Sequence, residues 1–180
     1  MQLPIDIDSV KGFLAAEEGA ELYQRCLAAC AVGPALEIGS YCGKSTVYLG
    51  QACKEARSTL FALDHHRGSE EHQLGEEYHD PELYDAGVGK MDTFKLFRDT
   101  VSRADLEDHI VPIVASSRVA ARNWQTPLGF VFIDGGHSLE AAETDYECWS
   151  PHVALGGILA IHDLFPNPEE GGQAPITIWR

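Results

Sequence analysis

The sequence predicts one α/β domain, a doubly wound and mostly parallel sheet with helices on both faces. Three observations lead there. Short continuous apolar runs at 35–38, 59–63, 110–114, 130–133 and 157–161 have the length of strands, and they do not alternate, as strands buried on both faces do not. Segments with helical spacing separate these runs, an order that builds a parallel sheet. Polar and acidic residues stand at the ends of the runs, the edge at which ligands bind in open sheets of this kind.

The elements follow in order. Residues 10–31 read as a helix, because Leu22, Tyr23, Cys26, Leu27 and Cys30 recur at spacings of three and four. Gly33-Pro34 breaks it before the first strand. A glycine-containing turn leads to a second helix from about Ser45, and 59–63 is the second strand. Phe94, Phe97 and Val101 mark a helix face; 110–114 follows as a strand and 118–124 as a short helix. After the strand at 130–133, Leu139, Ala142, Tyr146 and Trp149 give another helical face, and 157–161 is the fifth strand. The segment 65–90 is acidic and rich in histidine, too long for a bare connection, and reads as a functional loop or lid.

The 180 residues suit one domain with its own core. We read 1–34 as an N-terminal helical segment, 35–163 as a binding core and 164–180 as a tail. The net charge of -15 repels phosphate backbones and anionic lipid, so neither nucleic acid nor membrane is expected as a partner. No signal peptide or spanning helix is visible, which points to the cytoplasm. Five cysteines without a C-x-x-C pair read as reduced, mostly buried thiols.

The first turn, Glu37-Ile38-Gly39-Ser40-Tyr41-Cys42-Gly43-Lys44-Ser45-Thr46, carries the most chemistry. Its tail imitates a phosphate-binding loop, but Gly39 and Gly43 enclose three residues where that loop needs four. Tyr41 also breaks the dinucleotide fingerprint. A carboxylate at Glu37 would repel a pyrophosphate and attract a cation, while the glycines let a backbone approach closely. Asp64, ending the neighbouring strand, could accept hydrogen bonds from two ribose hydroxyls. Ammonium, sulfonium and ribose together describe S-adenosylmethionine.

These residues resemble the class I S-adenosylmethionine-dependent methyltransferases. The turn from Leu36 to Ser45 looks like that of the catechol O-methyltransferase group. Phe132-Ile133-Asp134-Gly135-Gly136-His137 and the stretch from Gly156 to Asp163 look like a bacterial branch grouped with macrolide-sugar methyltransferases and cephalosporin-hydroxylase-like proteins. The resemblance implies a Rossmann-like sheet of order 3-2-1-4-5; the usual C-terminal hairpin is expected to be absent or truncated here, because the tail after Asp163 is short. It implies that Glu37 and Gly39 hold the methionine portion near Ser45, that Asp64 holds the ribose, and that Ser116 or Ser117 lies beside the adenine. Tyr41, Gly43, His65 and Asp134 complete the expected cofactor set. His137, with Asp134, is the expected catalytic group, and Asp134, His162 and Asp163 are the expected ligands of magnesium or manganese. His162 stands where relatives carry an oxygen ligand, so either it points away or the site takes a softer ion.

The expected reaction is methylation of a hydroxyl on a small-molecule acceptor. Two rivals are a metal-dependent hydrolase using Asp134, His137, His162 and Asp163, and an S-adenosylmethionine-binding protein without catalysis. His65, His66, His72 and His79 are interleaved with Glu70, Glu71, Glu76 and Glu77 and lack the spacing of a structural zinc site, so they read as a solvated, substrate-covering loop. In the tail, Pro166, Pro168, Pro175, Gly171 and Gly172 interrupt the chain, so neither a further helix nor a hairpin fits. The fifth strand would then be a bare edge, so a shortened chain or a homo-oligomer is expected. The apolar end at 176–179 would dock on a neighbour or begin a helix.

Overall fold

A computed structural model describes residues 2–69, 80–136, 138–167, 169 and 171–179. Helix α1 (Ala16–Ala29) precedes β1 (Ala35–Ile38), α2 (Lys44–Ala56) and β2 (Leu60–Asp64). A small hairpin of β3 (Tyr84–Asp85) and β4 (Lys90–Met91) leads to α3 (Phe94–Arg103) and β5 (Ile110–Val114). Then come α4 (Ser117–Ala120), β6 (Leu128–Ile133), α5 (Leu139–Trp149), β7 (Val153–Ile161) and α6 (Ala174–Trp179).

The main sheet has the order β5-β2-β1-β6-β7, and every pair in it is parallel. Setting aside the β3-β4 hairpin, its strands in chain order run 3-2-1-4-5, as expected. Burial follows that order. Every residue of the central strands β1 and β6 is buried. β5 lies at an edge and tolerates Pro112, which has no N–H to give to a second neighbour. Among the described residues β7 pairs only with β6.

Two apolar layers sandwich the sheet. One joins Leu22, Tyr23 and Cys26 of α1, Leu49 and Cys53 of α2 and Phe97 of α3 to Phe130 and Phe132 of β6. The other sets Trp149 of α5 against Leu36, Val131 and Ile133. Trp149 is fully buried and meets Trp124 edge-on at 5.2 Å between ring centroids. Side chains of this size each stabilise the fold by roughly 1.5–3 kcal/mol on burial.

Several elements differ from the expected ones. α1 begins at Ala16, not residue 10, where Glu18 Oε2 accepts from the Ala15 N–H at 3.0 Å. Val10 and Leu14 are nonetheless buried, so they continue the apolar pattern without the helix. β6 and β7 begin earlier than their apolar runs, and an irregularity between Leu128 and Phe130 shifts their pairing. The tail forms α6 after all, because Pro175 sits in its first turn, where no N–H is needed. α6 packs against α5. No helix among the described residues is long and apolar enough to cross a membrane.

Candidate functional site

The carboxyl ends of β1, β2, β6 and β7 bring Glu37, Asp64, Asp134 and the His162-Asp163 pair to one edge of the sheet. The turn after β1 departs from the strand at Gly39, φ 90°, and enters α2 through Gly43, φ 93°. A side chain at Gly39 would run into the Asp134 carbonyl, so the turn lies directly on the end of β6. The Asp134 N–H donates to the Ile38 carbonyl at 2.9 Å and fixes that approach.

Glu37 is wholly buried. Its Oε2 accepts from the Thr46 hydroxyl at 2.5 Å, the Ser45 hydroxyl lies near the carboxyl, and Oε1 has no partner. Burial pushes its pKa up to about 8; the two hydroxyls counter this, and Asp134 and Asp64 add to it. An unpartnered buried oxygen beside a backbone cradle fits a ligand that brings a donor and a positive charge. Thr46 escapes the sequence reading, although its place at the start of α2 is the available signal.

Asp64 holds the loops on either side. Its Oδ2 accepts from the Tyr41 N–H at 2.8 Å and its Oδ1 from the His66 N–H at 2.7 Å. Each oxygen retains a lone pair for a hydroxyl donor. The Tyr41 ring lies 5.9 Å from that of Phe13. His65 is half exposed, and its Nδ1 accepts from the Arg67 N–H at 3.1 Å. His66 instead turns into the core. Its Nδ1 pairs with the Thr93 hydroxyl at 2.8 Å, its ring packs on Phe94 and Phe97, and burial lowers its pKa.

The two candidate serines part company. The buried Ser117 hydroxyl donates to Asp145 Oδ1 at 2.5 Å and accepts from Trp149 Nε1–H at 3.0 Å, so it is committed to α5. Ser116 is exposed at the start of α4. Asp145 was missed in the sequence. Burial raises its carboxyl pKa, and as a lone acid among Ala142, Tyr146 and Trp149 it carried a readable signal.

At the far end, His162 sits between carboxylates. Its Nδ1 is 3.0 Å from Asp134 Oδ1 and 3.3 Å from Asp163 Oδ1, and its Nε2 is 3.4 Å from Glu18 Oε2. The ring N–H directions miss these oxygens, so the attraction is chiefly between charges. Burial pulls the imidazole pKa down, but Asp134 and Asp163 outweigh it and raise it to about 11. His162 therefore points into the acidic cluster rather than away from it. The three ligating atoms lie within 4.8 Å of one another, compatible with one divalent ion once the imidazole proton leaves. Pro175 and Ile178 of α6 close one side of a recess lined by Asp134, Gly135 and His162. His137, His72, His79, Glu70, Glu71, Glu76 and Glu77 lie outside the described residues.

Comparison with known proteins shows a family and a fold. A family model described as a methyltransferase domain matches residues 36–164. Among solved structures, the chain resembles cofactor-bound Rv0187 from MTB, with 17% identity over 95% of this chain and 70% of that one, and a TM-score of 0.63. It resembles the O-methyltransferase NovP with 16% identity over 90% and 70%, and a TM-score of 0.67. A third is the O-methyltransferase TomG from Streptomyces achromogenes, in complex with SAM, with 14% identity over 93% and 68%, and a TM-score of 0.62. At such identities the structural likeness is one of fold.

Proposed function

The chain belongs to the methyltransferase-domain family, the class I S-adenosylmethionine-dependent methyltransferases, and from that premise we propose that it methylates a hydroxyl of a small-molecule acceptor with help from a divalent metal. The observation that carries this reading is the juxtaposition, on one sheet edge, of the Glu37–Gly39 turn and Asp64 with the acidic cluster of Asp134, His162 and Asp163.

S-adenosylmethionine supplies a methyl group already activated by its sulfonium. The Glu37 carboxyl offers its unpartnered oxygen to the ammonium, and the glycine turn lets the backbone lie against the methionine portion. Asp64 accepts from the ribose hydroxyls, and exposed Ser116 is the better placed serine for the adenine side. Holding donor and acceptor in line accounts for about 7–11 kcal/mol of barrier lowering in well-oriented systems. The acceptor's proton goes to His137. His162 is unsuited to that task, because a ring held as imidazolium by two carboxylates has no free lone pair to take a proton. Asp134 and Asp163 would hold the metal, manganese or magnesium, with His162 as a third ligand after losing its proton. Bound there, the ion would lower the pKa of the acceptor hydroxyl and orient it.

The test is transfer of a labelled methyl group from S-adenosylmethionine to a panel of phenolic, sugar and amine acceptors, with and without EDTA. We expect labelled methyl ethers, EDTA-sensitive in the wild type, and no metal stimulation in Asp134→Asn. Transfer to amines alone would refute the hydroxyl reading, and full activity in EDTA would refute the metal.

A further inference from the structure

The first helix pair brings Cys53, distant in the sequence, to Cys26 and Cys30. Cys26 and Cys30 lie one turn apart on α1 and its C-cap, and Cys53 faces them from α2. The Cys53 sulfur is 3.9 Å from that of Cys26 and 3.8 Å from that of Cys30, and all three lie within 4.8 Å of one another. Cys26 and Cys53 are wholly buried, while Cys30 is half-buried and leaves a way in from solvent. None is in a disulfide. Towards the start of α1 the two helices also approach closely, since a side chain on Gly19 would collide with the ring of Tyr48.

A single buried cysteine packs as a small apolar group. Three sulfurs meeting at one point do more. Metal–sulfur bonds of about 2.3 Å put tetrahedral ligand sulfurs roughly 3.8 Å apart and trigonal ones roughly 4.0 Å apart. The two separations from Cys53 match those spacings, and the third lies within 4.8 Å, so little movement of either helix is needed. Soft thiolates select zinc and copper(I) over magnesium and calcium.

We propose that Cys26, Cys30 and Cys53 form a three-thiolate site for a soft, thiophilic d10 cation that ties α1 to α2. Binding replaces three S–H protons by three metal–sulfur bonds and releases those protons to solvent, with no change of oxidation state. The site is separate from the acidic edge, whose donors are two carboxylates and an imidazole. It does not depend on the proposed reaction. Its consequence for the fold is that α2, whose start presents the glycine turn, is fixed at its far end.

The experiment titrates the reduced full chain, without oxygen, with cadmium alone as a spectroscopic probe, and then with zinc and copper(I) separately. We expect one equivalent of cadmium to produce an ultraviolet sulfur-to-metal charge-transfer band with release of about three protons. Cys30→Ala, at the least buried of the three positions, should keep its circular dichroism, lose about a third of the band and bind at least about tenfold more weakly. Asp134→Asn should leave the band unchanged. Tight copper(I) with weak zinc would mark a closed three-coordinate site, and tight zinc one whose fourth position takes water through the Cys30 opening; either supports the proposal. No band at one equivalent, or a band undiminished in both Cys30→Ala and Cys53→Ala, overturns it.

Discussion

Replacing Glu37 by Gln probes the most costly group in the turn. In the folded chain its carboxyl pKa is raised from 4.5 to about 8. At about 1.4 kcal/mol per pH unit, that difference makes ionisation of the buried group cost roughly 5 kcal/mol of stability above pH 8. The sign follows from proton counting. Between pH 4.5 and 8 the folded state keeps a proton that the unfolded state has released, so stability falls as pH rises across that window. Glutamine has nearly the same shape and no proton to lose. Urea denaturation of both proteins from pH 5.5 to 8 should show wild type losing up to about 3 kcal/mol relative to Glu37→Gln. A ligand ammonium would favour the carboxylate, so cofactor binding at pH 7 should release up to about one proton. Calorimetry in buffers of different ionisation enthalpy reads that proton directly. Parallel pH profiles for the two proteins would refute the buried, protonated state. A buffer-independent enthalpy in wild type would refute the pairing of Glu37 with the ammonium.

Asp64→Ala should weaken S-adenosylmethionine binding by about 1.5–3 kcal/mol, the range for hydrogen bonds to a charged acceptor; unchanged calorimetric affinity in the folded variant would remove its ribose role. His137→Ala should leave cofactor affinity nearly intact and lower turnover about 100-fold or more, and full activity would remove it as the base. Gly39→Ala should reduce both thermal stability and cofactor affinity, because the added methyl group meets the Asp134 carbonyl at a positive φ; a variant with wild-type melting and binding would show that the turn does not depend on this contact.

The sheet was legible because its strands are buried on both faces. Runs such as Leu60-Phe61-Ala62-Leu63 and Phe130-Val131-Phe132-Ile133 show their continuous apolar character without any tertiary knowledge. Gly39 and Gly43 marked the turn, and Asp64, Asp134 and Asp163 marked the strand ends. Boundaries were less legible where burial continues beyond regular structure, as at Val10 and Leu14 ahead of α1. α6 is only half legible: the apolar end at 176–179 can begin a helix, but Pro175 reads as a breaker although the first turn of a helix accepts it. The contacts of Ser117 with Asp145 and Trp149 depend on how α4 packs on α5, which no local pattern encodes. The convergence of Cys26, Cys30 and Cys53 likewise exists only once α1 lies on α2.

The acidic edge poses a physical problem that the fold meets in three different ways. Four carboxyl groups approach one another in a chain already carrying a net charge of -15. Asp64 accepts two backbone N–H groups. Asp134 and Asp163 share the imidazolium of His162. Glu37, with no cation and one unpartnered oxygen, keeps its proton instead. Each arrangement is one that an incoming ligand can exchange. A hydroxyl can add to the free lone pairs of Asp64, a divalent ion can take the place of the His162 proton, and an ammonium can replace the proton on Glu37. The edge thus holds protons and backbone dipoles where a methyl donor and a metal would bring their own positive charge, and that exchange links binding at this site to pH.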